Sequence, residues 1–380
     1  MRWPIVSLPT ICKPKQWPTV PKSKLTLNGY PVFGANGKIG FYSEYTHKHP
    51  TVLITCRGAT CGSINVSEPK SYVTGNAMAL DDLDETKADL RFVVRVLNNT
   101  DFGSVITGVA QPQITRQSLS RLEIPLPPLQ EQKRIASILD AADALKAKRR
   151  ESIEQLDLLI QSTFLEMFGD PVTNPKGWTC RTVGDALEDG LLLEVKDGNH
   201  GEQHPKAADF SDDGVPFIMS NCMHDGELDL TKTYKLPEEW LGRLRTGFSR
   251  GGDALLSHKG TIGEVAIVPD DIEIVILSPQ VTYYRTSESL LARYLVGMFG
   301  AEGFQRLLEK AAKQSTRPYI GITRQKKLPI IVPPLDLQTR FASIVESIEK
   351  QKTAQRAQLA ELDNLFGSLQ QNAFNGTLWN

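Results

Sequence analysis

Nothing in these 380 residues is long and apolar enough to cross a bilayer. No run reaches 18 apolar residues, and Met1-Arg2-Trp3-Pro4 leads into no hydrophobic signal core. Cysteine is scarce: Cys12, Cys56, Cys61, Cys180 and Cys222 form no Cys-x-x-Cys pair, which excludes a disulfide framework and a zinc ribbon. The expectation is a soluble, cytoplasmic protein. Catalytic motifs are missing too. There is no Asn-Pro-Pro-aromatic or Asp-Pro-Pro-Tyr motif of an amino-methyltransferase, and no Gly-x4-Gly-Lys-Ser/Thr loop for a nucleotide. No nucleophile–His–acid constellation is legible from spacing. His200-x3-His204 has metal-ligand residues, but Gly201 and Pro205 break the helix that would align them and no third ligand follows, so no metal is expected.

An excess of one charge is also lacking: 43 Lys/Arg stand against 44 Asp/Glu, a net −1. On the total alone, a nucleic-acid partner is not announced. The distribution is uneven, however. Residues 1–80 hold nine basic and two acidic side chains, whereas residues 176–328 hold 19 and 22. A basic face on the first segment suits phosphate; the second needs clustering or a partner's help. The run Asp81-Asp82-x-Asp84-Glu85 reads as a solvated loop.

What the chain does have is a copy of itself. Residues 127–140 (PPLQEQKRIASILD) and 333–346 (PPLDLQTRFASIVE) agree at eight of fourteen positions, at an offset of 206 that persists to Phe168 and Phe374. Upstream, Ile114-Thr115-Arg116-Gln117 recurs as Ile322-Thr323-Arg324-Gln325. Arg57-Gly58-x3-Gly62 matches Lys259-Gly260-x2-Gly263, and Gly29-x-Pro31-x4-Asn36 matches Gly214-x-Pro216-x4-Asn221. Trp3 and Trp178 each open a weakly similar segment. The protein is two copies of one unit, each a globular half followed by a long helix.

The proline pairs 127–128 and 333–334 suit helix starts. Ile135, Ile138, Ala142, Leu145, Arg149, Ser152, Leu156, Leu159 and Thr163 then recur at heptad spacing. So do Phe341, Ile344, Ile348, Gln351, Gln355, Gln358, Leu362, Leu365 and Leu369. Both stripes are apolar at the ends and polar at the centre, so antiparallel pairing would match ends with ends and resist slippage. Helices packed each on its own globular half are the plainer alternative. Val52–Thr55, Ser63–Val66, Val265–Val268 and Ile274–Leu277 read as strands, and Phe92–Asn98 and Leu290–Lys310 as helical. The fold class is α+β: two mixed α/β globular domains separated by two long antiparallel, coiled-coil-like helices in a pseudo-two-fold repeat. The expected segments are 1–123, 124–170, 171–328 and 329–380.

The duplicated Pro127-Pro128-Leu129-x-Glu131-Gln132 and Pro333-Pro334-Leu335-x-x-Gln338 segments resemble those of the specificity subunits of type I restriction–modification enzymes. The segments Tyr30–Gly40 and Asp197-Gly198-Asn199-His200-Gly201 resemble motifs of that family's target-recognition domains. The resemblance covers essentially the whole chain and implies a non-catalytic subunit. Each globular half would read one half of a gapped, asymmetric site in double-stranded DNA. The helices would space the two halves and dock two modification subunits. Those partners would carry S-adenosylmethionine and methylate adenine, and separate restriction (motor) subunits would use ATP and Mg. A helix from Leu129 to Phe168 spans about 60 Å, enough to hold two reading heads over half-sites about 34 Å apart. Leu337 departs from the pattern, standing where the first copy has Glu131.

Loop side chains able to reach base edges or phosphates are the DNA-binding candidates: Asn36, Lys38, Arg57 and Gln113 in the first half, and Asn199, His200, Asn221, Lys259, Arg317 and Tyr319 in the second. Asn36 and Asn221 equally suit turn-shaping roles beside glycine, and Gly58–Gly62 and Gly260–Gly263 read as tight turns. Gln130, Glu131, Arg134 and Arg340 at the helix starts are the candidates for contact with the modification subunit; surface solubility accounts for them almost as well. Two other readings fit the sequence: a stand-alone bipartite DNA-binding protein, and a coiled-coil scaffold binding other proteins.

Overall fold

The computed structural model describes residues 3–108, 111–199, 204–312 and 318–378. The chain forms two compact units, Met1–Arg149 with Gln358–Asn380, and Arg150–Ala357. The division falls inside both long helices, so each unit owns one globular head and a part of each helix. The four-segment division of the sequence instead sets the helices apart from the heads.

In the first unit the strands are β1 (Ile5–Ser7), β2 (Lys13–Gln16), β3 (Tyr30–Gly34), β4 (Gly37–Tyr42), β5 (Val52–Thr55), β6 (Ile64–Val66), β7 (Tyr72–Val73) and β8 (Ala77–Asp81). Helices α1 (Leu90–Asn98) and α2 (Arg116–Leu119), strand β9 (Glu123–Pro125) and the long α3 (Leu129–Phe168) follow. β2-β8-β5-β6 form an antiparallel sheet, β4-β3-β7 a smaller one, and β1 pairs with β9. The unbroken apolar run of β5 is explained by burial on both faces. Phe92, Val93, Val96 and Leu97 give α1 one buried face, and Asp89 caps its start by accepting from Phe92 N at 3.1 Å. Asp81 is not a solvated loop residue. It ends β8 and accepts from Trp17 Nε1 at 3.0 Å, with His47 Nε2 at 2.9 Å.

The second unit contains β10 (Thr179–Thr182), α4 (Val183–Glu188), β11 (Leu192–Asp197), β12 (Val215–Ile218), β13 (Met223–His224), β14 (Glu227–Leu228), β15 (Tyr234–Leu236) and α5 (Trp240–Arg243). It continues with β16 (Phe248–Ser249), β17 (Ala254–Ser257), β18 (Val265–Ile267), β19 (Val275–Leu277), β20 (Val281–Thr286), α6 (Ala292–Gly300), α7 (Glu302–Ala312), α8 (Ile322–Gln325), β21 (Pro329–Val332) and α9 (Leu335–Asn375). Its main sheet, β11-β20-β17-β18, repeats β2-β8-β5-β6, and β10-β21 repeats β1-β9. The helical period over Leu290–Lys310 resolves into two helices, not one. Ala301 adopts an extended conformation between them, so Tyr294, Leu295, Met298 and Phe299 of α6 and Phe304 and Leu308 of α7 enter the same core.

Strand register corrects one part of the repeat. Arg57 bridges Gln113 as Lys259 bridges Tyr319. Ile114 N donates to Cys56 O, and Ile320 N to His258 O, both at 3.0 Å. The structural offset here is therefore 206, and Ile114 corresponds to Ile320. The match of Ile114–Gln117 with Ile322–Gln325 was two residues out of register: a four-residue coincidence on the same turn-to-helix segment.

The helices run antiparallel within each unit. In the first, Ile135, Ala136 and Leu139 share a core with Ala373 and Phe374, while Lys146 lies 2.7 Å from Asp363 and over the Phe366 ring. In the second, Phe164 and Phe168 stand 5.6 Å from Phe341, ring to ring, while Asp157 meets Lys352. Part of the heptad stripe is buried as expected, with Ile135, Phe341 and Ile348 in the cores, but other positions are shifted by one residue. Leu145, Leu159 and Leu365 are exposed, Val345 is buried where Ile344 was expected, and Lys352 is buried where Gln351 was expected. Both phases are apolar enough to serve. The aromatic pair Phe164 and Phe168, four apart and packed on Tyr294, selects the phase that buries the larger area.

Candidate nucleic-acid interface

In the first head three candidates converge on one edge. Asn36 occupies the β3–β4 turn, which closes on Gly37 with φ near 101°. Its Oδ1 accepts from Thr60 Oγ1 at 2.7 Å, tying the turn to the loop that begins at Arg57. Arg57 is exposed and bridged to Gln113, whose backbone exchanges two 2.8 Å hydrogen bonds with Thr107. Lys38, two residues past Asn36, is paired with Glu68 at 3.4 Å and lies over the Phe41 ring.

In the second head Asn221, exposed, follows β12 as Asn36 follows β3; Gly214 and Gly29 open these strands with φ of 127° and 130°. Register confirms the correspondence: Ser278 N donates to Ile218 O as Thr74 N donates to Phe33 O, both at 2.9 Å. Lys259 is exposed beside Tyr319, which is 37% exposed. Ser220 Oγ donates to Gln280 Oε1 at 3.3 Å, and Gln280 O accepts from His258 N at 2.8 Å, joining the Asn221 and Lys259 segments. Three repeat-related pairs, Asn36/Asn221, Arg57/Lys259 and Gln113/Tyr319, thus occupy the same end of each head.

The glycines following Arg57 and Lys259 have φ of 88° and 80°, and Gly62 and Gly263 have 94° and 97°; these are tight turns, as the spacing suggested. Asn199 lies against the β19–β20 turn but is buried. It is 5% exposed, and its backbone N donates to Leu277 O. A Cβ on neighbouring Gly198 would stand 1.9 Å from Ser278 O, so the Asp197-Gly198-Asn199 segment lies tight against the chain beneath it. His200 and Arg317 lie outside the described residues. The structure adds Asn76 and Gln280, overlooked in the sequence. Each supplies the carbonyl that accepts from the residue before Arg57 or Lys259, and carries an amide side chain at the same edge. The signal was positional only: each lies immediately before β8 or β20.

The Pro-Pro-Leu segments have a structural explanation. Gln132 and Gln338, repeat-related and wholly buried, clamp the helix starts. Gln132 Oε1 accepts from Asp89 N at 2.8 Å while Nε2 donates to Lys87 O and Pro127 O; Gln338 Oε1 accepts from Leu291 N at 2.9 Å while Nε2 donates to Pro333 O. Each glutamine therefore satisfies the N-cap amide of α1 or α6. The docking candidates beside them are outward: Gln130, Arg134 and Arg340 are exposed and Glu131 is half-buried.

Residues 2–155 and 175–364 match the family model for the type I restriction modification DNA specificity domain. The chain belongs to this family. Its work is DNA target recognition within a type I restriction–modification complex. The type I restriction enzyme MjaVIII specificity subunit of Methanocaldococcus jannaschii is 24% identical over 306 residues, covering 78% of this chain and 72% of the relative. The EcoBI specificity subunit of Escherichia coli is 24% identical over 324 residues, covering 78% and 67%. In fold, the S subunit of a type-I restriction-modification system from M. genitalium aligns over 98% of this chain and 96% of its own, with a TM-score of 0.61 and 15% identity.

Within this family's architecture the chain's duplicated edge is the interface candidate. Among the described residues no group of three or more His, Cys, Asp or Glu is placed to hold a metal ion, and no helix is long and apolar enough to cross a membrane.

Proposed function

We propose that the two heads read two unlike halves of a gapped DNA site, and that the long helices carry two modification subunits. The observation that supports this most directly is the repeat of the edge positions with different chemistry. Arg57 and Gln113 in the first head become Lys259 and Tyr319 in the second, on the same turn and bridge. Equal placement suits two heads doing one task; unequal side chains suit two different base sequences. Near-neutral charge fits a subunit whose partners share the grip on the DNA backbone.

On the helices, Gln130, Glu131, Arg134 and Arg340 are the proposed docking residues. Leu145 and Leu365, exposed across a groove of about 330 Å³ that Arg149 and Gln358 also line, offer apolar area beside the polar rim. Chemistry is assigned to the partners: S-adenosylmethionine and adenine methylation on the modification subunits, ATP and Mg on the motor subunits.

The test is modified-base sequencing of DNA from cells expressing the chain with its neighbouring genes, against cells lacking only this chain. A methylated adenine motif of two unlike halves around a fixed gap, lost on deletion, is the expected result. Identical methylation in both strains refutes the assignment for an active system.

A further inference from the structure

Beneath Lys259 and Tyr319 the second head holds a buried polar network. Thr282 on β20 is its centre. Its Oγ1 donates to Asp197 Oδ1 at 2.5 Å, so the hydroxyl's remaining capacity is for accepting: from Gln325 Nε2 at 2.9 Å and from His258 Nδ1 at 2.8 Å. This assigns a proton to His258 Nδ1. Gln325 is fixed at both ends, with Oε1 accepting from the Tyr284 hydroxyl at 2.6 Å and Nε2 also donating to Ile320 O at 2.8 Å. Thr282, His258 and Gln325 are all buried.

The network terminates on the two segments that present the candidate readers. Gln325 holds the carbonyl of Ile320, next to Tyr319. His258 precedes Lys259, its carbonyl accepts from Ile320 N at 3.0 Å, and its ring lies 5.5 Å from that of Tyr319. The sheet is thereby connected, bond by bond, to His258 and Ile320, the neighbours of Lys259 and Tyr319.

The first head is an internal control. Strand register places Gln16 where the second head has Asp197, Met78 where it has Thr282, Cys56 where it has His258, and Leu119 where it has Gln325. Met78 and Leu119 are fully buried, and Gln16 Nε2 meets Cys56 Sγ at 2.9 Å. At the positions of Thr282 and Gln325 the same scaffold therefore closes around apolar side chains, and the side-chain contact that remains is that of Gln16 with Cys56. Buried polar groups impose directions that apolar packing does not, at a desolvation cost that the fold alone does not require.

We propose that Thr282, His258 and Gln325 are positioning residues that hold Lys259 and Tyr319 in one geometry for the half-site read by the second head. This rests on the DNA-reading function proposed above. The test uses the full chain assembled with its modification subunits and a duplex library with randomised bases, comparing wild type with Thr282→Val, Thr282→Ser and Gln325→Leu. Thr282→Val and Gln325→Leu are expected to lose about tenfold in base discrimination at one half of the site. The other half should be unchanged, and Thr282→Ser should retain both. Unaltered discrimination at both halves by either folded variant overturns the inference and leaves the reading function standing, as does an equal loss at both halves. If Thr282→Val does not fold, Gln325→Leu, which installs the first head's own residue, decides alone. A wild-type complex without any two-part preference overturns the reading function, and the inference with it.

Discussion

Lys352 Nζ lies 2.6 Å from Asp157 Oδ1, and the lysine side chain is wholly withdrawn from solvent. The repeat-related pair, Lys146 with Asp363 at 2.7 Å, is more open, at 13% and 45% side-chain exposure. Lysine and aspartate exchange helices between the two pairs, as an antiparallel arrangement of repeats requires. Burial alone would lower the Lys352 ammonium; the bond to Asp157 and the charges of Glu349 and Glu227 overcome it and hold it above its ordinary value.

Removing one partner of a buried pair leaves the other uncompensated. Lys352→Met should therefore destabilise the second unit by about 3–5 kcal/mol, and Lys146→Met by about 1 kcal/mol or less. Denaturant unfolding of the full chain checks the contrast; equal losses would show that burial does not separate the two pairs.

Glu349 makes stability depend on pH. Burial and the facing Glu227 carboxyl push it up to about 7, with Lys352 pulling the other way. Glu227, bonded to Arg356, is held below its ordinary range despite burial. Because the folded chain keeps the Glu349 proton longer than the unfolded chain does, this group's contribution is full below about pH 4.5 and is lost as pH rises to about 7. Glu349→Gln should remove that fall, so thermal unfolding at pH 5 and pH 8 should differ less than in wild type. An unchanged difference would place the proton elsewhere.

Gln132→Ala should cost about 2 kcal/mol, because it strands the half-buried Asp89 amide and the Lys87 and Pro127 carbonyls together. Gln338→Ala should act likewise through Leu291 N. Thermal denaturation reads both. A neutral result for either would mean that water replaces the clamp.

Arg57→Ala and Lys259→Ala should each weaken DNA binding by the assembled complex and reduce the magnitude of the log K against log salt slope by about 1. Titrations at several salt concentrations test this. An unaltered slope removes these side chains from phosphate contact.

The repeat and the helix starts were legible because proline pairs and identical residues at constant offset survive in plain sequence, and the strand around Val52–Thr55 was legible because β-branched residues crowd it. The phase of the helix stripe was not. Leu145 and Leu159 satisfy the same spacing as the residues actually buried, and only the aromatic core around Tyr294 chooses between them. Asn199 misled because a glycine-flanked asparagine reads as a loop tip, whereas here it is packed under the sheet edge. The polar network was invisible because Asp197, His258, Thr282 and Gln325 are scattered over 128 residues.

The first unit is made from both ends of the chain, with the second lying between them in sequence. Trp3 Nε1 donates to Ala373 O at 2.6 Å, and Phe374 fills a core begun by Phe92. During synthesis the second unit's last residue, Ala357, is added before Gln358–Asn380 of the first, which stays unfinished until those residues follow. A premature stop after Ala357 would consequently spare the later-encoded head and spoil the earlier one.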